Sequence, residues 1–265
     1  MKFLAVDTAN EYLAVVAYND GKVATAFLPD SSMRHSTELM AHVDMALSEC
    51  ALALTECDFF AAVVGAGSFT GIRIGVSAAK GFCLACAKPS IPVTSFELSA
   101  YNAVEPCDKI LCIVDALHDA YYACGFDGDK KVVLEPAYLT EEEVLALVAD
   151  GYSLRALKPK DEWSIAIAEK TNVVACSPTD GLLNAVLAKA AQGAFGELNA
   201  VYVRKSSAEL NLPSGSMASG SSSVGSVASG SSSVGSVPSG SSSGSSSSGS
   251  VPSVDSSSGG AGEVR

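Results

Sequence analysis

Apolar and polar residues alternate over positions 2–7, 12–18 and 22–28, and a period of two is the mark of half-buried strands. Asp20-Gly21, between the second and third runs, is a dipeptide favoured by two-residue hairpin turns. Three antiparallel strands therefore open the chain. The period then lengthens: from Ser36 to about Leu54 the apolar positions fall three and four apart, and Leu39, Val43, Ala46, Leu47 and Ala51 line one face of a predicted helix. A continuous apolar run at 59–64 reads as a buried strand. A glycine loop, a helix over 71–87, a short strand at 91–94 and a helix entered at Ser95 follow.

The same order begins again at Lys109. Strands are predicted at 109–114, 119–126 and 130–134, with Asp127-Gly128 as a second hairpin turn 107 residues after the first. Thr140-Glu-Glu-Glu143 has the spacing of a capping box and opens a helix to about Ala149. A weak strand near 153–157, a helix near 161–169, a strand at 172–176 and a long helix over 179–194, led in by Pro178, complete the pattern. KFLAVD and KILCIVD are the matching first strands, ending in Asp7 and Asp115. Two copies of one strand-strand-strand-helix-strand-helix unit are the α/β layout of the actin-like (ASKHA, RNase H-like) superfold, two tandem lobes with mixed sheets. The expected lobes are 1–105 and 106–210. Such a fold hosts many activities and does not choose among them.

Residues 211–265 are almost entirely Ser, Gly, Val, Ala and Pro, with a ten-residue repeat, SSSVGSVASG then SSSVGSVPSG. So little apolar surface cannot offset an ordering cost of roughly 1–2 kcal/mol per residue, and a disordered tail is expected. That tail holds two acids and one base; of the chain's 29 acidic and 17 basic side chains, 27 and 16 remain in residues 1–210, a net charge of −11. An acidic protein without a dense basic patch is a poor direct ligand for nucleic acid. The eight cysteines sit mostly in apolar runs, Asp7 interrupts any signal-peptide core, and no apolar run approaches the roughly 18 residues of a spanning helix. A reduced, cytoplasmic, soluble protein is expected.

Gly65, Gly67, Gly71 and Gly75 surround a predicted strand-to-helix junction, where backbone amides can bind an anion. Spacing excludes the two common phosphate loops: Ile72, not Lys, follows Gly71, and Thr70 stands where GxGxxG needs its third glycine. Gly71, Gly75, Ala79 and Cys83 recur every four residues, so one helix face is nearly flat. Each interior glycine costs about 1 kcal/mol relative to Ala, which close backbone packing would repay. The packing is either internal, against the helix at 36–54, or against a partner; Phe69, between Ser68 and Thr70 in a turn, favours a partner surface.

GAGSFTGIRIG at 65–75 followed by AAKG resembles the GPGSFTG-[LI]-RIG-x-x-x-AKG signature of the TsaB (YeaZ) family, with Ala66 in place of Pro. Asp7-Thr8, Arg34-His35-Ser36 and Tyr202-Val-Arg204 fit in the same order, and the resemblance covers about residues 1–207. It implies a non-catalytic scaffold or activator of tRNA threonylcarbamoyladenosine formation, pairing through the N-terminal lobe with a TsaD-like catalytic subunit and working with a TsaE-like ATPase. tRNA would be met only through the complex, and the sequence leaves open whether the chain alone pairs with itself as a homodimer. The interface implied comprises Ser68, Phe69, Thr70, Gly71, Arg73, Gly75 and Ala79 with Leu39 and Val43 of the preceding helix. Asp115-Ala-Leu-His118 stands where many relatives carry Asp-Ala-Arg-Arg.

Other chemistry is sparse. His35 and His42 lie seven apart on one predicted helix, about 10 Å along its axis, too far to share a metal, and read as surface histidines. Cys83-x-x-Cys86 has no second half-site and reads as a buried apolar pair. Asp7, Thr8 and Asp115 occupy strand ends at which actin-like ATPases handle metal-bound phosphates. They are candidates for nucleotide contact, with ATP and Mg at the complex interface and no tightly bound cofactor. The alternative function is an ATPase or kinase acting by itself.

Overall fold

Asp20 at φ 48° and Gly21 at φ 101° close the first hairpin, a pair of positive φ values that matches the right-handed twist of the strands they join. The computed structural model describes residues 1–102, 105–116, 120–157 and 166–203. Strands β1 (Lys2–Asp7), β2 (Leu13–Asn19), β3 (Lys22–Leu28), β4 (Phe59–Gly65) and β5 (Ser90–Thr94) form one sheet in the order β3-β2-β1-β4-β5. The hairpin strands are antiparallel, whereas β4 and β5 run parallel to β1. Strands β6 (Lys109–Asp115), β7 (Ala120–Asp127), β8 (Val132–Thr140), β9 (Ser153–Leu157) and β10 (Val173–Cys176) repeat the plan as β10-β9-β6-β7-β8. The tandem actin-like layout is therefore present strand for strand.

Helices α1 (His35–Glu49), α2 (Phe69–Cys86), α3 (Ser95–Ala100), α4 (Glu141–Ala149) and α5 (Pro178–Ala191) connect the strands. The first core runs from Phe3, Leu4 and Val6 through Leu39, Val43, Phe60, Ile72 and Ile91, and burying each large apolar side chain contributes about 1.5–3 kcal/mol. That core also takes Leu182, Ala185 and Val186 of α5, together with Leu198. The last helix of the second repeat thus covers the sheet of the first. The described residues, all within the first 203, belong to one compact unit.

Several boundaries differ from the sequence reading. α1 ends at Glu49 rather than near Leu54, because Ala51 adopts φ 50° and turns the chain; Ala51 is consequently exposed, and a short 3-10 turn occupies Leu54–Glu56. β8 begins later and runs far longer than 130–134. Pro136 hid it, yet β8 is an edge strand, where a missing N–H is tolerated. α2 reaches 18 residues with mean hydropathy 1.2, so its length and composition alone would suit a membrane span. Arg73 and Lys80 lie within it, and its other face is buried on β1 and β4. His118, Arg204, the tail and all of the predicted 161–169 helix except the 3-10 turn Ala166–Glu169 lie outside the described residues.

Candidate functional site

Everything the glycine loop does begins with the chain leaving β1. Gly65 (φ 139°) and Gly67 (φ 150°) hold conformations that L side chains rarely adopt. Their missing side chains also make room for backbone: a Cβ on Gly67 would overlap the Ala9 carbonyl, and one on Gly65 would overlap the Val201 carbonyl. Ser68 N–H donates to Ala9 O at 2.7 Å, and Val201 N–H donates to Val64 O at 2.7 Å. The two glycines are thus packed against the protein's own backbone, the turn after β1 at Gly67 and the segment after α5 at Gly65.

Ser68 caps α2, accepting from Gly71 N–H at 3.3 Å. Thr8 then fastens the helix to β1, since its Oγ1 donates to Gly71 O at 2.7 Å. A Cβ at Gly71 would overlap Thr8 O, and one at Gly75 would lie 2.6 Å from Thr8 Oγ1. At Gly71 and Gly75 the flat stripe lets α2 descend onto the end of β1.

Behind the loop lies a buried polar knot. Asp7 Oδ1 accepts from Ala9 N–H and Oδ2 accepts from the Tyr12 hydroxyl, both at 2.8 Å. Burial pushes the Asp7 carboxyl up to about 6, opposed by those two hydrogen bonds, and it pushes the Tyr12 phenol well above its ordinary range. Asn10 Nδ2 reaches the Tyr12 hydroxyl at 3.2 Å, and Ser95 Oγ donates to Ala66 O at 2.6 Å. His35 Nε2 lies 3.0 Å from Tyr12 O. A carbonyl can only accept, and burial lowers the His35 pKa, so the ring is the neutral tautomer with its proton on Nε2. Both carboxylate oxygens of Asp7 thus have partners inside the chain.

The structure sorts the predicted site residues into two groups. Leu39, Val43, Gly71, Gly75 and Ala79 are buried in the chain's own core, and Asp7 and Thr8 are at most 1% exposed. As placed, none of them offers surface to a partner or a nucleotide, because β1 and its neighbours cover them. Ser68, Phe69, Thr70 and Arg73 are exposed, as is Asp115 at the end of β6. The Phe69 and Tyr202 rings pack with centroids 4.8 Å apart, tilted by 31°, Arg73 lies 3.8 Å over the Phe69 ring and its Nε donates to the Tyr202 hydroxyl at 3.2 Å.

The histidine and cysteine readings also shift. His35 is buried rather than on the surface, and His42 Nδ1 bonds to Glu38 O of its own helix at 2.9 Å. Cys83 and Cys86 are half-buried free thiols. Among the described residues, no group of three His, Cys, Asp or Glu could hold a metal ion.

What sequence reasoning missed is the outward face of the same helices. On α2, Ser77, Gly81 and Ala85 recur every four residues and are all exposed, and Gly81 has nothing within 4 Å of a built Cβ. Leu84 beside them is 86% exposed; on α1, which touches α2, Met40 and Met45 are about half exposed. The signal was available, since 77-81-85 has the same spacing as 71-75-79-83, but only the fold tells which stripe faces out.

Comparison with known proteins is consistent with this architecture. The family model described as "TsaD: tRNA N6-adenosine threonylcarbamoyltransferase" matches residues 27–213. The chain is 32% identical over 132 residues to the tRNA threonylcarbamoyladenosine biosynthesis protein TsaB of Escherichia coli (strain K12), covering 49% of this chain and 57% of that one. It is 29% identical over 173 residues to TsaB of Bacillus subtilis (strain 168), covering 65% and 73%. The E. coli alignment thus spans little more than half of that relative. The solved structure of YeaZ from Pseudomonas aeruginosa superposes with a TM-score of 0.63 at 23% identity, over 77% of this chain and 99% of that one.

Proposed function

Because the chain belongs to the TsaD family, on its TsaB (YeaZ) side, we propose that it serves tRNA threonylcarbamoyladenosine biosynthesis as a non-catalytic subunit that docks a TsaD-like enzyme. The observation that carries this reading is the exposed face of α1 and α2. Gly81, Ser77 and Ala85 leave α2 flat where no described residue covers it, while Leu84, Met40 and Met45 turn apolar side chains outward. Small residues allow helices to approach closely, and apolar side chains beside them supply the surface worth burying. The half-exposed methionines suit such a surface, since the unbranched thioether adapts to a facing helix.

A TsaE-like ATPase, contact with tRNA through the complex only, and a cytoplasmic location complete the proposal. The acidic balance of the chain agrees with an indirect role toward tRNA. Contact with ATP and Mg belongs, in this reading, to the interface of the complex and not to Asp7, whose oxygens are held by Ala9 and Tyr12.

The test is co-purification with a TsaD-like subunit, together with reconstitution of tRNA modification with and without the chain. Gly81→Leu and Leu84→Glu are expected to weaken pairing at least about tenfold, the loss of roughly 1.4 kcal/mol, while the unfolding midpoint of the isolated chain is kept in Leu84→Glu and kept or raised in Gly81→Leu. Unchanged pairing in both variants would remove this face from the interface. Gly75→Leu cannot serve, since its side chain would strike Thr8 inside the chain.

A further inference from the structure

Arg155, in the middle of β9, is among the largest fully buried side chains, 1% exposed. Its Nη1 donates to Ala100 O at 3.3 Å, and its Nη2 donates to Glu105 O at 3.0 Å and meets Cys107 Sγ at 3.2 Å. Among the described residues its Nε has no hydrogen-bond partner and no carboxylate pairs with it. A guanidinium does not lose its proton in a protein, and burying one without a counter-charge costs several kcal/mol. The reactive side chain in contact with it is Cys107, through its sulfur.

Cys107 does not face a closed core. With Pro106, Asp108, Gly128 and Lys130 it lines a cavity of about 340 Å³. Lys130, at φ 66° in the loop after β7, is held below its ordinary pKa by desolvation first and then by Arg155, so two cations act on this cavity. Asp108 on its wall and Asp127 at the base of the loop are the acids facing them. Cys112 and Cys176 also feel Arg155, but burial dominates both, pushing Cys112 well up and Cys176 up to about 11, and neither lines the cavity.

We propose that Cys107 is a modification site, and that the cavity takes a small anionic disulfide of the glutathione class with which Cys107 forms a mixed disulfide. Its sulfur, the proton released to solvent, attacks one sulfur of the incoming disulfide. The new S–S bond forms as the old one breaks; Cys107 is oxidised, and the departing half is reduced and leaves as a thiolate that takes a proton from water. Arg155 Nη2, 3.2 Å from the attacking sulfur, holds it in place at the cavity wall, and Lys130 attracts the carboxylates of the incoming molecule.

The full-length chain, incubated with oxidised glutathione and mapped by peptide mass spectrometry, tests this. Cys83 and Cys86 are internal controls, being half-buried like Cys107 but hydrogen-bonded to the carbonyls of Pro89 and Leu54. Cys107 is expected to acquire glutathione at least about tenfold faster than either. Lys130→Gln is expected to slow that reaction about threefold or more, while alkylation of Cys107 by neutral iodoacetamide stays within about twofold. If Cys107 reacts no faster than Cys83 and Cys86, or if Lys130→Gln leaves the glutathione rate unchanged, the proposal falls.

Discussion

Gly75 and Gly81 lie six residues apart on α2 and would respond in opposite senses to the same substitution. At Gly81 a Cβ meets nothing within 4 Å, so Gly81→Ala gains only the helix propensity of alanine and a less disordered unfolded chain, about 0.5–1 kcal/mol of added stability. At Gly75 a Cβ would sit 2.6 Å from Thr8 Oγ1. To relieve that overlap Thr8 must rotate, which breaks its 2.7 Å bond to Gly71 O. A buried hydrogen bond lost with its groups unsatisfied costs about 1–3 kcal/mol, and overpacking adds about 1–3 kcal/mol. After the propensity gain, Gly75→Ala is expected to destabilise by roughly 2–4 kcal/mol. Urea unfolding with a common slope reads both as shifts of the midpoint in opposite directions. Should Gly75→Ala prove neutral or stabilising, the close seating of α2 on Thr8 is not the reason for that glycine.

The remaining predictions concern the knot and the loop clamp. Asp7 titrates at about 6 in the folded chain against 3.8 for the free group, so stability is fully present below about pH 3.8 and is lost as pH rises to about 6, on the order of 3 kcal/mol in all. Asp7→Asn should remove that step, and the difference between the urea midpoints of the two proteins from pH 4 to 7 isolates it from His35, whose lowered pKa acts in the opposite sense; a flat difference curve refutes the assignment. Ser95→Ala, which deprives the Ala66 carbonyl of its 2.6 Å donor, should cost about 1–2 kcal/mol of unfolding free energy. Tyr202→Ala removes the ring packed against Phe69 and the hydroxyl that receives Arg73. A loss of about 0.5–1.5 kcal/mol is expected, with the same denaturation as the check, and no loss would mean that the return segment is held by its backbone alone.

The repeated strand order was legible because Asp20-Gly21 and Asp127-Gly128 punctuate two matching patterns and because local periodicity settles element type. Edges were less so. Ala51 ended α1 by taking a left-handed φ that no residue in ALAL announces, and Pro136 concealed an edge strand that can accept it. For the site, the GSFTG turn and its helix were readable, but the direction of each face was not. A stripe of small residues looks the same whether it receives the backbone of β1, as Gly71 and Gly75 do, or faces out, as Gly81 does. The Asp7–Tyr12–His35 knot and the Arg155–Cys107 contact join residues between 5 and 48 positions apart, distances over which a sequence pattern carries no register.

The segment that crosses the glycine loop also sets an order of events in synthesis. Val201 closes on Val64, and Leu182, Ala185, Val186 and Leu198 finish the core that Phe3 and Phe60 begin. A ribosome delivers the first sheet long before it delivers these residues. The nascent N-terminal half must therefore wait, with one wall of its interior missing, until about residue 203 has cleared the exit tunnel, and contacts of such long separation form late. Cut at the repeat boundary, the first hundred residues would be a sheet without its lid, and the two copies that sequence sets end to end become, in folding, a single cooperative act.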